Sequence, residues 1–193
     1  MPTPFISRTD LTDYLGTDVT TDDGALIAVD AACDIVRTLT EQDFNSVTGD
    51  TVKLDGTGTD ALLLPQVPVS AAGTVVVNGG TLSATLDYTC TSDGVLLRTD
   101  GTAMLSTWSQ GWGPTAFWPQ GRQNISVTYD HGYSGGTVPA DIRVVALMIA
   151  SRMTVQGLDS QRQVGQANVK YAVGASDLSA NELRICRKYK RAL

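Results

Sequence analysis

Ile125-Ser-Val-Thr-Tyr-Asp-His-Gly-Tyr-Ser-Gly-Gly-Thr-Val-Pro-Ala-Asp-Ile-Arg-Val-Val-Ala-Leu-Met-Ile-Ala-Ser-Arg-Met153 changes period in its middle. Ile125, Val127 and Tyr129 alternate with Ser126, Thr128 and Asp130, the pattern of a strand with one wet face. After the glycines, Pro139 suits a first helical residue, and the spacing predicts a helix to about Gln156, stopped by Gly157. Ile142, Val145, Ala146, Ile149, Ala150 and Met153 form one face, and Val144, Leu147 and Met148 cover much of the rest. A helix apolar nearly all round is expected to be buried on two sides. One side can be its own domain; the other can be the β-rich segment or a neighbouring subunit.

On the N-terminal side, Ser7-Arg8-Thr9-Asp10 can cap a short helix bearing Leu11, Tyr14 and Leu15, with Gly16 as its stop. A longer helix is predicted over Asp22–Gln42, with Thr20 or Thr21 as its cap and Asp22 and Asp23 at the positive end of its dipole. Leu26, Val29, Cys33, Val36 and Thr40 step by three and four, and Ala25, Ala28, Ala32, Ile35 and Leu39 widen the stripe. Thr48 to Gly136 reads as short strands. Val52–Asp55 and Ala61–Leu64 flank Gly56-Thr57-Gly58-Thr59, which reads as a hairpin loop. Thr74–Val77 ends at Asn78-Gly79-Gly80. Leu86, Tyr88 and Cys90 lead to Ser92-Asp93-Gly94, and Val95–Arg98 returns.

On the C-terminal side, residues 158–176 are polar, with a β-like piece at Asn168–Val173. Ser179-Ala180-Asn181-Glu182 matches a capping box and opens a last helix. The expected fold class is α+β: a helical core of four helices drawn from both chain ends, with an inserted antiparallel β-rich domain. The boundaries are 1–47 (N-terminal helices), 48–136 (β-rich insert), 137–157 (core helix), 158–177 (extended arm) and 178–193 (basic helix).

With 193 residues, 42% hydrophobic and 18% charged, the chain can bury a substantial core. The apolar run Val144–Ala150 is far shorter than the ~20 residues of a membrane-spanning helix, so no membrane partner is expected, and Met1–Ser7 lacks a targeting pattern. Cys33, Cys90 and Cys186 are widely spaced and read as small buried residues. The net charge of −6 is uneven. Residues 179–193 hold five basic groups against Glu182, and the remainder carries −10. An acidic body argues against wrapping nucleic acid but is compatible with a channel through which DNA slides.

Candidate chemistry is sparse. His131 sits beside Asp130, but adjacent strand residues point to opposite faces, so Asp130 does not orient it; a residue at a strand end is the simpler reading. Asp55-Gly-Thr-Gly-Thr-Asp60 lacks the patterns of calcium and phosphate loops and reads as Asx-type turns. Neither catalytic residues nor a cofactor or metal is expected. Trp108, Trp112, Phe117 and Trp118 crowd one loop. They can anchor a subunit or partner interface, stack on a sugar, or plug one end of the β segment. The closing helix is a candidate docking element, through Leu183, Arg184, Cys186, Arg187, Lys188, Tyr189, Lys190 and Arg191. Leu183, Cys186 and Tyr189 would form its apolar contact and the basic groups would steer it.

Taken in order, the segments resemble the head–tail connector (adaptor, or head completion) proteins of long-tailed bacteriophages, in the variety with a β-rich insert. The matching pieces are the N-terminal helix pair ending near Phe44; Leu54 to Val69; Ile125 to Tyr133 leading into Val138-Pro-Ala-Asp-Ile-Arg143 and Ala150-Ser-Arg152; Val164 to Tyr171; and Leu178 to Arg184 with Tyr189-Lys-Arg191. The resemblance implies a structural virion protein assembled in the bacterial cytoplasm. It implies a ring of twelve subunits beneath the portal protein that extends the DNA channel and docks the next tail-side protein. It supplies no catalytic residues. The competing class is a carbohydrate-binding or other surface-recognition module using Trp108, Trp112 and Trp118. An enzyme is disfavoured, because no nucleophile, base and orienter come together in the sequence.

Overall fold

The computed structural model describes residues 3–99, 117–134, 137–158, 161–164, 167–170 and 178–191. Its order is α1 (Arg8–Leu15), α2 (Asp23–Thr40), β1 (Val47–Gly56), β2 (Ala61–Leu63), β3 (Val69–Val77), β4 (Gly80–Leu82), β5 (Tyr88–Cys90), β6 (Val95–Arg98), β7 (Gly121–His131), α3 (Ala140–Leu158), β8 (Gln161–Val164), β9 (Ala167–Lys170) and α4 (Ala180–Tyr189). The fold is α+β, and it divides into a helical unit (1–45 with 134–192) and a β unit (46–133).

In the helical unit α2 packs chiefly on α3, with α1 and α4 against both. Ser7 caps α1 in a capping box with Asp10, and Gly16 closes it in the left-handed conformation. Asp22, rather than the expected Thr20 or Thr21, caps α2 by accepting the Gly24 N–H. The buried stripe of α2 is Ala25, Ala28, Val29, Ala32, Cys33, Val36 and Thr40; Leu26 lies off it and is exposed. Ala25, Ala28 and Ala32 of α2 and the bulkier Ile142, Val145 and Ile149 of α3 are all buried where the two helices pack. Helix α3 passes through Gly157 to Leu158. Its second apolar flank stays open, with Val144 46% and Met148 36% exposed.

The β unit is two antiparallel sheets, ordered β1-β7-β3-β4 and β2-β6-β5. They share one core of Leu62, Leu64, Val69, Val75, Tyr88, Leu96, Trp118, Ile125, Val127 and Tyr129. The β3–β4 hairpin turns at Asn78 and Gly79, both with positive φ, as a two-residue type I′ turn requires. The β5–β6 hairpin turns through Asp93-Gly94. The predicted hairpin of Val52–Asp55 with Ala61–Leu64 does not form. Instead β1 pairs with β7, and β2 pairs with β6 in the other sheet. The segment leading into β7 supplies the reason: Gly58 donates to the Trp118 carbonyl at 3.0 Å and Trp118 donates to the Thr59 carbonyl at 2.8 Å. A Cβ on Gly56 would lie 1.7 Å from the Pro119 carbonyl oxygen, so only glycine permits this approach. The polar segment after α3 contributes a third, two-stranded antiparallel sheet, β8–β9.

Candidate docking surface

The closing helix is built from its N-terminus. Ser179 accepts the Glu182 N–H at 3.2 Å, and the Glu182 carboxylate accepts the Ser179 N–H at 2.7 Å. Glu182 is only 1% exposed, and Arg152 of α3 donates to both its oxygens, at 2.8 and 3.2 Å. Burial alone would raise its pKa. The Arg152 and Ser179 hydrogen bonds and the guanidinium charge outweigh burial and hold it below the ordinary glutamate range.

One turn on, Cys186 is buried, and desolvation, aided by the Glu182 charge, raises its thiol pKa. Tyr189 donates its hydroxyl to Asp141 at 2.7 Å and sets its ring edge-on to Phe44, centroids 6.0 Å apart. Lys190 pairs with Glu41 of the α2 C-cap at 2.6 Å. The sequence leads to the expectation that Leu183, Cys186 and Tyr189 of α4 turn toward a partner. The structure corrects this. Cys186 and Tyr189 pack within the chain's own helical unit and Leu183 is half-buried, because a buried ion pair and a tyrosine hydrogen bond fasten α4 to α3.

The opposite face is basic and open. Arg184, Arg187, Lys188 and Lys190 are exposed, and Arg191 is half-buried at the end of the described helix region. Among the described residues Arg184 bonds to Asn181 of its own helix, at 2.9 Å, and to no carboxylate. Lys188 reaches Asp141 at 3.5 Å, a long contact for an ammonium. Arg184, Ile185, Lys188 and Asp141 border a shallow depression of about 340 Å³. Lys188 and Lys190 thus reach carboxylates of the chain itself, while Arg184 and Arg187, with no ion pair among the described residues, suit an acidic protein surface. Sequence reasoning missed Arg152 and Asp141. An arginine and an aspartate on an otherwise apolar helix were the available signal.

The aromatic loop divides. Trp108 and Trp112 lie outside the described residues. Phe117 is 53% exposed, whereas Trp118 is fully buried, donates its indole N–H to the Leu96 carbonyl at 3.3 Å and lies under the Arg98 guanidinium. Trp118 therefore plugs the β unit and is corrected from interface anchor to core residue. His131 is buried at the end of β7, with Nε2 3.2 Å from a carboxylate oxygen of Asp50 on β1, while Asp130 accepts the Gly49 N–H. In the Asp55–Asp60 turn the Thr57 and Thr59 hydroxyls donate to the Ala61 carbonyl. Among the described residues no group of three His, Cys, Asp or Glu side chains converges as a metal site.

A family model described as Head completion protein matches residues 4–192. No curated protein sequence matches the chain. Among solved structures it is similar to a chain in the neck of an empty gene transfer agent (GTA) particle computed with C6 symmetry, at 16% identity and TM-score 0.58, covering 97% of this chain and 91% of that one. It is similar to a chain in the neck of the native particle computed with C12 symmetry, at 16% identity and TM-score 0.57, covering 100% and 94%. A chain of the native particle's virion matches at 18% identity and TM-score 0.59, covering 100% and 94%. At such identities the likeness is one of fold. The family match spans both the helical and the β unit, and the chain thus belongs to the head completion protein family, structural virion proteins of the head–tail connector.

Proposed function

We propose that this protein is the adaptor subunit of a head–tail junction: a ring of twelve copies beneath the portal protein that extends the DNA channel and docks the next tail-side protein. The observation that carries the reading is the family match over residues 4–192, joined to the full-length fold likeness to neck chains of particles computed with C6 and C12 symmetry. The basic face of α4 is the surface offered to the portal, through Arg184, Arg187 and Lys188. The acidic remainder of the chain suits a channel wall that repels DNA and lets it pass. The rival sugar platform loses a member, since Trp118 is buried in the β core.

Imaging of particles tests this. Gold-labelled chain is expected at the junction of head and tail, and particles assembled without it are expected to be filled heads lacking tails. Label on the tail tip or fibres, or normal tailed particles without the chain, would defeat the proposal.

A further inference from the structure

The failed hairpin leaves two strand edges facing one groove. Asn78 donates its N–H to the Asn124 carbonyl, and in the β3–β7 register this makes Asn124, Ser126 and Thr128 the residues bonded toward β3. Ile125, Val127 and Tyr129 then bond toward β1, through Leu54, Val52 and Asp50. The backbone groups of Lys53 and Asp55 therefore point to the free edge of β1. In β2, Arg98 donates to the Asp60 carbonyl and Leu64 donates to the Gly94 carbonyl, so Asp60, Leu62 and Leu64 bond to β6 and its turn, and the backbone of Ala61 and Leu63 faces away. All four outward residues line one open groove of about 760 Å³. Among the described residues the Ala61 carbonyl accepts from the Thr57 and Thr59 hydroxyls and the Asp55 carboxylate from the Gln123 N–H, while no bond is found to the backbone N–H groups of Lys53, Asp55, Ala61 and Leu63.

A row of unpaired N–H and C=O groups is a template for another strand. The chain also carries an unpartnered pair of strands. β8 and β9 pair with each other and, among the described residues, with no other strand, and a lone two-stranded hairpin is marginal in water. The charges are complementary: residues 161–170 hold Arg162 and Lys170 and no acid, while the β unit, 46–133, holds seven aspartates against three basic residues.

We propose that the groove between β1 and β2 receives the β8–β9 hairpin of a second copy, which adds a strand along Lys53–Asp55. The contact is head to tail, each copy giving a hairpin to one neighbour and taking one from the other, the type of interface that closes into a ring. It rests on the ring reading above for the presence of a second copy.

The test measures self-association of the full chain by light scattering. Lys53→Pro with Leu63→Pro removes two N–H groups that face the groove and no ladder bond. A second variant replaces residues 161–170 with a glycine-serine linker. Each alone is expected to weaken association by about tenfold or more. A mixture of the two is expected to form one-to-one dimers, since one supplies an intact groove and the other an intact hairpin. If the proline variant does not fold, the linker variant decides alone. Wild-type association in the linker variant would overturn the proposal while leaving the ring reading standing. A full chain that stays monomeric also overturns it, and the ring is then judged by particle imaging.

Discussion

Glu182 on α4 and Arg152 on α3 form a two-pronged ion pair, at 2.8 and 3.2 Å, around a carboxylate that is almost wholly buried and also closes the α4 capping box. One side chain thus starts a helix and fastens it to its neighbour. Removing the charge strands a guanidinium that retains some water contact, so the cost falls toward the lower end for buried pairs. Glu182→Ala is expected to destabilise the chain by ~3 kcal/mol in chemical denaturation. Arg152→Ala should do similar damage, with the double variant costing less than their sum.

The same pair sets an acid limit. Glu182, Asp10 and Asp141 are all held below their ordinary values: burial works against ionisation at each, and hydrogen bonds from Arg152, Ser7 and Tyr189 respectively do most to overcome it. A lowered folded pKa means that the unfolded chain takes up protons first as pH falls. The stabilisation is complete above the unfolded values, 4.5 for the glutamate and 3.8 for the aspartates, and is lost as pH drops through the folded ones. Melting temperature is expected to fall below about pH 4.5, and less steeply in Glu182→Gln. Equal slopes in the two proteins would show that this carboxyl is not responsible.

Core substitutions test the helical packing. Val36 and Ile149 are buried on α2 and α3, and an aspartate at either site would have no partner. Val36→Asp and Ile149→Asp are each expected to cost more than ~4 kcal/mol and to prevent folding. Soluble protein with cooperative unfolding from either would contradict the packing.

Phe117 and Trp118 are adjacent and should behave oppositely. Trp118→Ala removes a buried indole from the β core and is expected to cost ~3–5 kcal/mol. Phe117→Ala, on the surface, should change stability by no more than ~0.5 kcal/mol. Thermal unfolding of both variants checks the contrast.

That contrast shows what the sequence could convey. The starts of α1 and α4 were legible because caps are local: Ser7 and Ser179 act within three residues of themselves. The Asn78-Gly79 and Asp93-Gly94 turns were legible for the same reason. The pairing of β1 was not. Its alternation and the following glycines suit a hairpin equally well, and what decides is the chain near Trp118, some sixty residues on, which takes the loop's hydrogen bonds. In α4 the apolar face was visible, but a periodicity states that a face is buried without stating against what. Leu183, Cys186 and Tyr189 suited a partner as well as α2 and α3, and only the placement of Arg152 and Asp141 separates the two.

The final prediction concerns docking by α4. A chain ending at Gly174 loses the Glu182–Arg152 pair, the buried Cys186 and the Tyr189–Asp141 bond, so it is destabilised and cannot separate docking from folding. Substitutions on the open face can. Arg184 and Arg187 are exposed, and among the described residues neither has an ion-pair partner, Arg184 donating to the Asn181 side chain. Arg184→Glu with Arg187→Glu should therefore shift stability by no more than ~0.5 kcal/mol. If this face meets an acidic portal surface, attachment to purified heads should slow by about tenfold at low salt, where screening is least, and by less as salt rises. Normal attachment at every salt concentration, from a normally folded double variant, would remove α4 as the docking face and leave its role wholly within the helical unit.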